Sequence, residues 1–161
     1  MTHAVPPRIL VVGLGNPDRG DDGVGVLLAT RLADRLPDGV GLLAGGRDAL
    51  SLIDDWVGCD VMLALDAAAP MGHPGRVHRL TSGGEWPVET EPPLSGHALG
   101  LFEALALART LCLPVPRTVV IFAIEAADLT PGAPLSPAVA AAVPGMVERV
   151  VDEVARRYAR T

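Results

Sequence analysis

The sequence predicts an α/β fold: a three-layer α/β/α sandwich around a mostly parallel, twisted sheet of about five strands, one of them an antiparallel edge strand. Three observations lead there. Short apolar, β-branched runs alternate with stretches whose apolar residues recur every three or four positions, the rhythm of strands and helices in a parallel sheet. Hydrophobic residues make up 49% of the chain and charged residues 20%, which is enough to fill a core and too apolar for disorder. At 161 residues one domain, 1–161, is expected, with no internal repeat and no linker.

Arg8 to Leu14 (RILVVGL) reads as the first strand, buried on both faces and ending in a glycine-rich turn. From Asp22 to Leu36 the apolar residues Val24, Leu27, Leu28, Leu32 and Leu36 mark a helix closed by Pro37, Asp38 and Gly39. A short strand, Val40 to Ala44, leads to Gly45 and Gly46, a helical stretch around Leu50 to Val57, and a third strand, Val61 to Leu65, that ends at Asp66. Glycines and prolines then punctuate residues 67–96, where only Arg76 to Leu80 can pair, as the edge strand. A helix from about His97 to Cys112, a strand from about Thr118 to Ile124 and a helix entered at Ser136 complete the chain, with Pro144 and Gly145 expected to kink the last helix.

Thirteen basic residues, all Arg, oppose nineteen acidic ones for a net charge of −6, the wrong balance for tracking a nucleic-acid backbone. No apolar run approaches the roughly 18 residues of a membrane helix, and Arg8 after two prolines does not give the order of a secretory signal. A soluble, cytoplasmic protein is expected. Cys59 and Cys112 sit among apolar neighbours without a CxxC pair and read as buried free thiols.

Ligands of such sheets bind beyond the carboxyl ends of the strands, where GLGNPDRGDDGVG, Gly13 to Gly25, lies. A dinucleotide fingerprint begun at Gly13 has Asp18 where its last glycine belongs, and a Walker frame begun at Gly15 has Asp21 and Asp22 where Lys and Ser or Thr belong. Three carboxylates there would repel a phosphate. N-capping is the ordinary role for Asp21 or Asp22, but only one side chain can fill a cap. Asp66 at a strand end and His97 at a helix start fall on the same edge, so that Asp22, Asp66 and His97 offer the mixed oxygen and nitrogen donors suited to a first-row divalent metal. Ser95 has no GxSxG elbow and is not read as a nucleophile. His3, His73 and His78 are given structural or solvent roles, Met71 and Met146 packing or loop roles, and Asp54, Asp55, Glu148, Asp152 and Glu153 solvated helix faces.

With these residues in place the chain resembles the hydrogenase maturation proteases, endopeptidases that trim the C-terminal extension from the large-subunit precursor of nickel–iron hydrogenases. The resemblance runs nearly end to end. It spans ILVVGLGNPDRGDDGVG, the pair Gly45 and Gly46, LALDAA around Asp66, SGHALGL around His97, VVIFAIEAADL and LSPAV. It implies a phosphorylase/hydrolase-like sandwich in which Asp22, Asp66 and His97 are both the catalytic and the metal-contacting set, with Asp21 as the neighbouring acid. Asp stands at position 22 where some relatives have Glu, Ala44 where relatives often have Asp, and Ala126 where they often have Pro.

The family picture further implies no tightly bound cofactor, with nickel arriving in the substrate precursor and another divalent metal able to stand in for it in vitro. Two carboxylates and a neutral imidazole match a divalent ion. Two unit charges about 4 Å apart interact by about 4 kcal/mol at an effective dielectric of 20, so without the ion one carboxylate should hold its proton more tightly. Whether the attacking water is metal-bound or Asp-activated stays open, as do two other readings. One is a peptidyl-tRNA hydrolase-like esterase, which shares GLGNP but needs a His soon after it, absent from DRGDDGVGV. The other is a non-catalytic nickel-checking or metal-delivery partner using the same three residues.

Overall fold

The computed structural model describes residues 5–45, 48, 50–82 and 95–160. His3, Gly46 and the glycines and prolines at 83, 84, 87, 92 and 93 lie outside the described residues. Among the described residues five strands form one sheet: β1 (Ile9–Gly13), β2 (Gly41–Ala44), β3 (Val61–Ala68), β4 (Val77–Ser82) and β5 (Thr118–Glu125), in the order β2-β1-β3-β5-β4. β1, β2, β3 and β5 pair in parallel, and β4 pairs antiparallel with β5 at the edge, as expected. The helices are α1 (Val24–Leu32), α2 (Ser51–Asp55), α3 (Gly96–Thr110) and α4 (Pro137–Ala159).

Alternation along the strands assigns the two faces of the sheet. Ile9, Val11, Leu63, Leu65, Val120, Phe122 and Ile124 pack with α1 and α4, while Leu10, Val12, Met62, Ala64, Val119 and Ile121 pack with α2 and α3. The three-layer sandwich follows from this division. Asp66 has the parity of Met62 and Ala64, so the second face is the one it presents to α3.

Several boundaries differ from expectation, each for a local reason. β3 runs two residues past Asp66 because Asp66, Ala67 and Ala68 still pair with Ala123, Ile124 and Glu125, so Asp66 lies within the strand. The helix expected from Asp22 opens instead as a single 3-10 turn, Gly20–Gly23, before α1, and ends at Leu32. Neither Asp21 nor Asp22 caps it, and Ser136 precedes α4 without a side-chain cap bond. α4 continues through Pro144. Pro144 and Ala140, whose carbonyl the missing amide leaves free, are both exposed, so water can satisfy that oxygen. Both cysteines are free, but Cys112 is exposed and Cys59 only half-buried. Cys112 lies in the turn after α3 with φ 56°, which carries its side chain off the core.

Glu153 is not on a solvated face: it is 3% exposed and receives Arg79, Arg156 and Arg157 at 2.8 to 3.3 Å, tying α4 to the edge strand. Burial pushes its carboxyl up, and the three guanidiniums outweigh this and hold it at about 2. Glycine is required where the first strand meets the acidic turn. Gly15 has φ +108°, and a Cβ there would lie 2.0 Å from the Asp22 carbonyl oxygen.

Candidate functional site

The acidic turn is fixed by Asp21 rather than by a cap. Asp21 is fully buried, and its carboxylate accepts the amides of Ala127 (2.8 Å), Asp128 (2.9 Å) and Ser136 (2.7 Å), while its own amide donates to the Asp128 carbonyl at 2.8 Å. Burial pushes this carboxyl up, but the amides of Asp128, Ser136 and Ala127 prevail and hold it below its ordinary value. One residue on, the Asp22 Oδ2 accepts the Asn16 amide at 3.0 Å and lies 3.1 Å from Nε2 of His97, which α3 brings in. Asp22 is 4% exposed, and the imidazole, 42% exposed, covers it from the solvent side.

Ser95 starts α3 as its N-cap, accepting the Ala98 amide at 3.2 Å, and its hydroxyl also donates to Oδ2 of Asp66. The Ala67 amide donates to Oδ1 of Asp66 at 2.8 Å. Asp66 is fully buried, and burial is the main reason its carboxyl is pushed up to about 6; Ser95, Ala67 and His97 pull the other way, and the Asp22 charge adds a smaller upward push. The direction agrees with the sequence expectation, but burial rather than carboxylate repulsion leads it.

Asp22, Ser95 and His97 share a cavity of about 430 Å³ with Arg19, Leu129 and the run Ala67, Ala68, Ala69. Asp66 sits behind that lining, bonded to Ser95. The structure therefore brings Asp22 and His97 into direct contact and puts Asp66 within electrostatic reach of both. Among the described residues, no three His, Cys, Asp or Glu side chains form a ready-made metal cage. Sequence reasoning weighed Ser95 only as a nucleophile, although a serine directly before a helix is the usual cap signal. It also gave no site role to Arg19 and Leu129, although both lie in the segments that carry the resemblance. Glu125 is a further such residue, fully buried at the end of β5, whose Oε1 accepts the Met71 and His73 amides at 2.7 Å each and ties down the loop after β3. His73 and His78 keep the structural or solvent roles expected of them: His73 is exposed, and Nε2 of His78 lies 3.7 Å from Glu125.

Fold and site together define an α/β/α sandwich enzyme in which a carboxylate–imidazole pair backed by a buried acid occupies the strand-end loop that elsewhere cradles phosphates. Comparison with known proteins narrows this class. A family model described as hydrogenase maturation protease matches residues 26–153. The Hydrogenase 2 maturation protease of Escherichia coli K12 is 29% identical over 146 residues, covering 89% of this chain and 88% of the relative. The hydrogenase expression/formation protein HupD of Bradyrhizobium diazoefficiens is 33% identical over 144 residues, covering 86% and 73%. Among solved structures, the hydrogenase maturating endopeptidase HybD from E. coli superposes with a TM-score of 0.77 at 27% identity, covering 92% of this chain and 93% of that one. The chain belongs to the hydrogenase maturation proteases and is an endopeptidase of that family. The comparisons thereby favour the protease over the esterase and the non-catalytic partner. Among the described residues no helix is long and apolar enough to cross a membrane.

Proposed function

We propose that this endopeptidase removes the C-terminal extension of a nickel–iron hydrogenase large-subunit precursor after nickel insertion, and that Asp22, Asp66 and His97 recognise the nickel the substrate carries. The observation that supports the reading best is the contact between Asp22 and His97 at 3.1 Å, placed beside the buried Asp66 at the strand-end cavity. Carboxylate oxygen and imidazole nitrogen suit a first-row divalent ion, and a cation arriving in the cavity favours the ionised form of each acid. Asp66, whose carboxyl burial pushes up to about 6, is the acid whose ionised form such an ion would relieve most. For Asp66 to reach the ion its bond to Ser95 has to open, so recognition couples to the start of α3. Cleavage then follows when a water, metal-bound or activated by an Asp, attacks the aligned peptide. The protein keeps no tightly bound cofactor of its own in this reading and acts in the cytoplasm.

The test is incubation with nickel-loaded and nickel-free precursor, read by mass spectrometry of the large subunit. A shortened product only with nickel is expected, together with loss of cleavage in Asp22→Asn, Asp66→Asn and His97→Ala. Wild-type rates in all three variants would overturn the site assignment, and equal cleavage of nickel-free precursor would overturn the role of the ion.

A further inference from the structure

Among the described residues Arg19 is the one arginine in the lining of the cavity, and it is placed with more care than an exposed arginine needs. Its amide donates to Asn16 at 3.2 Å, its carbonyl accepts the Asp22 amide at 3.1 Å, and its Nε donates to the Leu129 carbonyl at 3.1 Å. Backbone and side chain are thus both fixed to the walls that carry the site. Among the described residues, no hydrogen bond or ion pair takes up either Nη, although Asp18, Asp21 and Asp22 lie within three positions in a chain of net charge −6. An arginine held at Nε and left open at Nη presents two NH2 groups, four N–H donors, in a fixed planar fork.

The other polar side chains of the described lining already make contacts within the site. The Ser95 hydroxyl donates to Asp66, Nε2 of His97 faces Asp22, and the two carboxylates only accept when ionised. A peptide laid in this cavity brings carbonyl oxygens that lose their water on entry and need donors. We propose that Arg19 binds a carbonyl oxygen of the substrate chain at the cleavage site, and so fixes the peptide against Asp22 and His97; this rests on the peptide-cleaving function above. The oxygen gains negative charge as water adds to the carbonyl carbon, so a charged donor there holds the reacting state more strongly than the resting one.

The experiment is steady-state cleavage of nickel-loaded precursor by the wild-type protein, Arg19→Met and Arg19→Lys, with thermal midpoints measured alongside. Arg19→Met keeps the length of the stem and removes every donor, and kcat/KM is expected to fall about a hundredfold, mostly in kcat. Arg19→Lys restores the charge without the fork and is expected to recover part of that loss, with both midpoints near the wild-type value. A kcat/KM within twofold of wild type in Arg19→Met, or equal deficits in the two variants, overturns the assignment. Absence of cleavage by the wild-type protein refutes the reading of the reaction itself and takes this assignment with it.

Discussion

Replacing Asp66 by Asn should stabilise the protein at neutral pH while removing an acid of the proposed site. The wild-type carboxyl is displaced from 3.8 to about 6 in the folded state, chiefly because it is buried. At 1.36 kcal/mol per pH unit this displacement is about 3 kcal/mol of folded-state preference for the protonated form. The sign follows from proton binding. Below 3.8 folded and unfolded chains are both protonated at this site and it contributes no pH dependence. Between 3.8 and about 6 the unfolded chain gives up the proton first, so stability falls as pH rises, and above about 6 the whole penalty is in force. Asn is neutral throughout, and its amide can donate to the Ser95 oxygen while its carbonyl accepts from Ala67, which keeps both partners satisfied. The difference in unfolding free energy, variant minus wild type, should be close to zero at pH 3, about 0.5 kcal/mol at pH 4 and about 3 kcal/mol at pH 8. For a chain of this size that is an increase in thermal midpoint of about 6 to 12 °C at pH 8. Urea unfolding followed by far-UV circular dichroism across this range measures it. A variant less stable than wild type at pH 8, or a difference that does not change between pH 4 and 8, would show that burial does not burden this carboxylate.

Asp21→Ala should cost about 3 kcal/mol or more, because it leaves the amides of Ala127, Asp128 and Ser136 without their acceptor. Since that carboxyl is held below its ordinary value, the wild-type advantage in urea unfolding should be full near pH 7 and shrink as the pH falls below 3.8. Ser95→Ala should destabilise by about 1 to 2 kcal/mol through loss of the α3 cap. It should also move the Asp66 carboxyl higher still, visible in a pH titration of a 13C-labelled carboxyl followed by NMR, and an unmoved titration would show that the serine does not act on Asp66. Glu153→Gln should cost about 1 to 2 kcal/mol, since the guanidiniums that hold it are partly exposed, and the loss should diminish in high salt when unfolding is compared at low and high ionic strength.

The layers of the fold were legible because burial writes itself into apolar spacing: β1, β3, β5 and α4 lie close to where periodicity put them, and the antiparallel edge strand follows from its isolation among turns. Boundaries at the functional edge were less legible. A strand continues as long as its neighbour offers partners, and Glu125, far away in sequence, extends β3 past Asp66. The expectation that Asp22 and His97 meet came from topology, since both lie where helices open at one edge of the sheet, and from the family resemblance. The roles of Asp21 and Glu153 were hidden for a common reason. Each carboxylate answers to groups on other elements, three amides in one case and three guanidiniums in the other, and no local pattern distinguishes such an acid from a solvated one. Ser95 was the exception, readable as a cap but not as a partner of Asp66.

The three amides that hold Asp21 belong to residues 106, 107 and 115 positions downstream of it. During translation, therefore, the acidic turn is made early but has nothing to close on until Ser136 has cleared the ribosome. A nascent or truncated chain that stops short of that point has its first carboxylates in hand without the full set of amides that holds them in place, so the acidic turn becomes rigid only after the segment from Ala127 to Ser136 has been made.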